Sequence, residues 1–117
     1  MSNKPSCIFC DIANKKIKAN IVSESEHLVA FHDTNKVAEL HLLIIPKEHF
    51  ASLNDIDENA SAIMADMVLT AKNLARQFHV DETGYRLVMN TGKDAGQSVF
   101  HLHMHLLGGR PFSWPPG

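Results

Sequence analysis

Ser98-Val99-Phe100-His101-Leu102-His103-Met104-His105-Leu106-Leu107 carries a histidine at every second position from 101 to 105. Side chains alternate across a strand, so an extended chain puts all three imidazoles on one face and Leu102, Met104 and Leu106 on the other. The alternation predicts a strand over Phe100–Leu107 that ends at Gly108-Gly109, with its apolar face packed on a helix. At eight histidines in 117 residues, composition alone yields about 0.04 such triplets per chain. The pattern therefore has a cause.

The helix that covers the apolar face is expected over Asp55–His79, where Ile56, Ile63, Met67, Leu74 and Phe78 recur at helical spacings and Asp55 or Asp57 can cap. Ile21–Ser23 and His27–His32 read as a hairpin turning at Ser25-Glu26. Leu40–Ile45 reads as a strand stopped by Pro46, with His41 on the face of Leu43 and Ile45. Tyr85–Met89 reads as a further strand, Asn90–Ser98 as a glycine-bearing loop, and Ser6–Lys15 as a short helix capped by Ser6. The tail, Arg110–Gly117, is too rich in proline for a helix. Together these elements predict one α+β domain over residues 1–117, a five-stranded antiparallel sheet with one long helix and a short N-terminal helix.

Composition narrows the function. A net charge of −2 with neutral histidines argues against nonspecific binding to nucleic acid or a membrane surface and favours a small substrate. Leu40–Pro46, the longest apolar run, is interrupted by His41 and too short to cross a bilayer. With no signal-peptide core at the N-terminus, a cytoplasmic location is expected. Cys7 and Cys10, two residues apart, suggest half of a metal site or a redox pair.

Three causes account for a face of three histidines. One is a structural face without a ligand, which costs stability when adjacent ionisable rings are buried without use. Another is a metal held by all three, which strand geometry opposes because His101 and His105 lie about 13 Å apart along the strand. The third is a phosphate site with a histidine nucleophile, the central ring kept neutral by its neighbours and the Gly92–Ser98 loop offering backbone N–H groups and a hydroxyl. That loop is not a Walker motif, since no Gly-Lys-Ser/Thr ends it.

Gly96-Gln97-Ser98-Val99-Phe100-His101-Leu102-His103-Met104-His105-Leu106-Leu107-Gly108-Gly109-Arg110 resembles the signature of the histidine triad nucleotide-binding proteins, and specifically of their Hint branch. The likeness continues through Ile8-Phe9, Ala30–Asp33, His41–Lys47, Gly84–Arg86, Met89-Asn90 and the closing Trp114-Pro115-Pro116-Gly117. It implies a homodimer whose two five-stranded sheets become continuous, hydrolysing purine nucleoside phosphoramidates and aminoacyl adenylates through a nucleotidyl-histidine and releasing a monophosphate such as AMP. The rival readings are a nucleotide-binding interaction protein and a dinucleotide polyphosphate hydrolase of the same family.

Carried over by matching motif, His103 is the nucleophile, His105 and Ser98 bind the phosphate and help the amine leave, and His41 supports His103 through a hydrogen bond. Asn90, Gly96, Gln97 and Val99 complete the phosphate and ribose environment, Asp33 and Thr34 take the ribose side, and His32, Ile8, Phe9 and Ile17 form the purine cleft. On the residues alone, Asp33 also reads as a turn residue, and Ile8, Phe9 and Ile17 as plain core. No cofactor is expected to be required. A structural zinc on Cys7, Cys10, His49 and His101 is similar to the arrangement in galactose phosphate uridylyltransferases and some histidine triad proteins, although the Hint branch commonly lacks the cysteine pair. The alternative is a pair of reduced cysteines packed as small hydrophobes.

Overall fold

The computed structural model describes residues 7–117. A five-stranded sheet has the order β1-β2-β3-β5-β4 and is antiparallel at every pairing. Its strands are β1 (Ile21–Glu24), β2 (Leu28–His32), β3 (Leu40–Pro46), β4 (Tyr85–Val88) and β5 (Met104–Gly108), with helices α1 (Ile8–Ala13) and α2 (Ser61–Gln77). Strand periodicity divides the core in two. Leu28, Ala30, Leu40, Leu42, Ile44, Met104 and Leu106 face α2, meeting its Met67, Ala71 and Leu74. The intervening Val29, Phe31, Leu43 and Ile45 face Phe9, Ile12 and Ala13 of α1.

Several boundaries move from the sequence expectation, each for a local reason. Ser6 lies outside the described residues. Within them α1 is capped by Cys7, whose sulfur accepts the Cys10 N–H, and the helix ends at Ala13 before Lys15 takes a positive φ of 63°. The long helix begins at Ser61 rather than Asp55, because Ser52 and Asp57 each accept a backbone N–H two residues on and wind short 3₁₀ turns at Leu53–Asp55 and Glu58–Ala60. It stops at Gln77 because His79 adopts φ 64°. β1 gains Glu24, β2 begins at Leu28 rather than His27, and β4 ends at Val88 rather than Met89.

The last strand differs most, starting at Met104 rather than Phe100. Its ladder with β3 ends at Ile44 opposite Met104, close to Pro46, which has no N–H to give. The Leu102 N–H turns instead to the Phe50 carbonyl at 2.7 Å. The two-residue alternation nevertheless persists outside the ladder: Leu102 joins the core under α2, while His101 and His103 are buried on the other side. Beyond β5, Gly109 has φ 92°, and a Cβ there would sit 2.8 Å from the Glu39 side chain.

Candidate active site

The face of the sheet opposite α2 opens into a cleft of about 840 Å³. Phe31, Leu43 and Phe9 supply apolar wall, His41, His103 and His105 the imidazoles, and Ser98 and Val99 the loop edge. His32, Asp33, Thr34, Ile8 and Ile17 line it as well. Ile8 and Ile17 are about half exposed, so they border the cleft without belonging to the core, whereas Phe9 is buried and serves both. Phe9 meets the ring of His103 edge-on, at 5.2 Å between centroids and 82°.

Ring hydrogen bonds fix what each histidine can do, because a carbonyl only accepts and a backbone N–H only donates. His103 Nδ1 lies 2.7 Å from the His101 carbonyl. Nδ1 therefore carries the proton, and Nε2 of a neutral ring holds a lone pair. His41 Nδ1 accepts the Val37 N–H at 3.1 Å, so its Nε2 carries the proton and donates to His105 Nδ1 at 2.8 Å. His105 is left with a donor at Nε2. The hydrogen bond of His41 thus runs to His105, and not to His103 as the sequence reading has it.

Burial pushes His105 down to about 4, with His103 and His41 acting in the same direction and Asp33 opposing. His41 is lowered too, by burial against the pull of Asp33. A histidine held below its ordinary 6.5 is neutral at pH 7; its contribution to stability is present above 6.5 and is lost as pH falls toward 4. The ring protons of His105 are expected to titrate in NMR with a midpoint near 4, and the melting temperature to fall across that window. A midpoint near 6.5 contradicts this environment.

Gln97 plays a different part from the one its motif suggests. It is buried, its carbonyl accepts the Gly92 N–H, and its amide donates to the carbonyls of Ala51 and Val99. It braces the loop that presents Ser98, and with Asn90 and Gly96 it lies outside the cleft lining. The main-chain partners Val37, Pro46 and His101 are absent from the sequence reading, since a backbone group leaves no residue-type signal.

Behind the cleft, Cys7, Cys10, His49 and His101 bring one ligand atom each within 4.8 Å of one another. Cys7 Sγ and His101 Nδ1 are 3.3 Å apart, Cys10 Sγ and His49 Nδ1 3.3 Å, and the two Nδ1 atoms 3.2 Å. A tetrahedral zinc with Zn–S about 2.3 Å and Zn–N about 2.0 Å separates its ligands by roughly 3.3–3.8 Å, so the donor set fits. The tautomer fits too. His101 Nε2–H donates to the Pro46 carbonyl at 2.8 Å, which leaves Nδ1 unprotonated toward the sulfurs. Burial holds this ring at about 4. His105 belongs to a separate group with Asp33 and His41, as the strand spacing predicts.

The family model described as HIT domain matches residues 14–112. An uncharacterized HIT-like protein of Synechocystis is 44% identical over 110 residues, covering 94% of this chain and 96% of the relative. A HIT family hydrolase from Legionella pneumophila superposes with a TM-score of 0.94 at 46% identity, covering 96% of this chain and all of that one. A histidine triad protein from Clostridium difficile gives 0.93 at 38%, covering 96% and 97%.

Proposed function

The chain belongs to the HIT domain family, and from that premise we propose that it hydrolyses purine nucleoside phosphoramidates and aminoacyl adenylates through a nucleotidyl intermediate on His103. The observation that carries the reading is the bond from His103 Nδ1–H to the His101 carbonyl, which reserves Nε2 for attack in a cleft shared with a donor histidine. The name of the Legionella neighbour, a HIT family hydrolase, supports hydrolysis.

In the first step a bond forms from His103 Nε2 to phosphorus, and the P–N bond, or the mixed-anhydride P–O bond, breaks. His105 Nε2–H donates to a phosphoryl oxygen, and the Ser98 hydroxyl assists phosphate binding and departure of the leaving group; an amine leaves with a proton taken from solvent, and the carboxylate of an adenylate leaves unprotonated. Water then attacks phosphorus, the new P–O bond replacing the bond to His103 Nε2 and the water proton passing to solvent, which restores His103 and releases the monophosphate. Asp33 and Thr34 face the ribose, and Ile8, Phe9, Ile17 and His32 the purine. Gln97 acts through the loop that carries Ser98 and Val99.

The Trp114-Pro115-Pro116-Gly117 ending resembles that of the Hint branch and supports the reading that the chain belongs there. We take residues 1–117 as one cytoplasmic domain without nucleic-acid or membrane partners, pairing with a second copy into a continuous sheet. No helix among the described residues is long and apolar enough to cross a membrane. Zinc on Cys7, Cys10, His49 and His101 would tie α1 to the segment behind His103. It would supply structural cross-linking there and leave catalysis to the histidines.

Relative kcat/KM on adenosine phosphoramidate, lysyl adenylate and diadenosine polyphosphates tests the substrate class. The phosphoramidate and adenylate are expected to be cleaved fastest. A preference for polyphosphates assigns another branch, and nucleotide binding without turnover on any of the three leaves an interaction protein.

A further inference from the structure

His41 Nε2 holds one proton and faces two acceptors: His105 Nδ1 at 2.8 Å and the Asp33 carboxylate, whose Oδ2 is 3.2 Å away. The fork is rigid on both sides. His41 is 3% exposed and held by the Val37 N–H at Nδ1, so its ring cannot turn to separate the two acceptors. The other oxygen of Asp33, Oδ1, accepts the Asn35 N–H at 2.8 Å and orients the carboxylate. Asp33 thus stands at the end of a line Asp33–His41–His105 that runs from the sugar side of the cleft to the phosphate donor.

We propose that Asp33 is a positioning residue for the phosphate end of the site, coupling occupancy of the sugar subsite to the hydrogen bond between His41 and His105. A vicinal sugar diol that donates to the Asp33 carboxylate satisfies part of its acceptor capacity. The His41 proton is then drawn less to Asp33 and more to His105 Nδ1, which fixes His105 with its proton at Nε2. No covalent bond changes; one shared N–H becomes committed to one acceptor. The cleft therefore reads the diol in the chemical step as well as in binding, and discriminates ribonucleotides from dideoxy analogues through kcat in addition to KM. The substrate identity rests on the nucleotide hydrolase reading above; the unliganded fork does not.

The test compares wild type and Asp33→Asn by ring-nitrogen NMR of His41 and His105, free and with adenosine 5′-monophosphate or its 2′,3′-dideoxy analogue, alongside single-turnover rates on the two corresponding phosphoramidates. In the wild type the monophosphate is expected to shift His41 Nε2 and His105 Nδ1 toward a stronger mutual hydrogen bond, and the dideoxy analogue to leave them near their free values. Asp33→Asn, which removes the competing carboxylate, is expected to move the same resonances in the same direction without any ligand and to raise the single-turnover rate on the dideoxy substrate about tenfold, toward that on the ribose substrate, the worth of one hydrogen bond. The dideoxy substrate is expected to be slow on the wild type alone. Unmoved ring nitrogens in the free variant, with a change confined to KM, overturn the proposal and leave Asp33 a ribose ligand only. If no nucleotide binds or turns over, the functional reading fails, while the free-state spectra still decide the Asp33–His41–His105 coupling. Should Asp33→Asn not fold, the wild-type spectra with the two ligands decide it: equal shifts refute the coupling.

Discussion

Replacing His103 with alanine is expected to abolish turnover of an adenosine phosphoramidate while nucleotide binding stays within about tenfold of wild type. The loss in kcat should reach about 10⁴-fold or more, because removing a nucleophile removes the covalent route and not one of several contacts. Binding survives on this account because Asp33, Thr34, Ile8, Phe9 and Ile17 still line the cleft. The ring of His103 packs against Phe9, so the fold should be checked by circular dichroism beside the kinetics. A variant that retains a tenth of wild-type kcat refutes His103 as the nucleophile. His105→Ala is the informative contrast, since it removes a donor to phosphate and leaves the nucleophile in place.

Metal content is the second large effect. Protein purified without an affinity tag or chelator is expected to hold about one zinc per chain, and Cys7→Ser or Cys10→Ser to hold close to none, because a four-ligand site that loses a thiolate loses its tetrahedral closure. Stability should follow the metal. A ligand that binds only the folded state at a thousandfold excess over its Kd contributes about 4 kcal/mol, and chelation should lower the melting temperature accordingly. Cys7 also caps α1 through its sulfur, so Cys7→Ser keeps a capping atom and separates the metal effect from a lost cap. A metal-free protein that is stable and active removes the zinc, and the four side chains are then a packed polar cluster held by the Pro46 carbonyl at His101.

The two-residue alternation of His101–His105 is legible in the sequence because side-chain direction in an extended chain depends on parity, whether or not a ladder is present. Where the ladder stops is not legible. It depends on Pro46 lying near the end of the pairing of β3 with β5, a long-range register that no local pattern encodes. The start of α2 is not legible for the opposite reason: Ile56 has helical spacing, yet Ser52 and Asp57 bind nearby N–H groups and wind tighter turns before the helix begins.

In the site, the residues carrying distinctive chemistry were readable: the three histidines, Asp33, and the cysteine pair. Their partners were not. The alternation of β3 puts His41 on the face of Leu43 and Ile45, but its choice of His105 follows from the Val37 N–H that fixes its tautomer. Gln97 sits inside the most recognisable motif of the chain and still spends its whole amide on Gly92, Ala51 and Val99, a bracing role that only the loop conformation reveals.

The proposed reaction transfers phosphorus to His103 before it reaches water. Mixing the protein in excess with an adenosine phosphoramidate, quenching within one turnover and mapping the adducted peptide by mass spectrometry tests it directly. Added adenylate is expected on the peptide containing His101–His105, localised to His103 and chased by further incubation. An adduct on any other residue, or no adduct while the substrate is consumed in that single turnover, contradicts it.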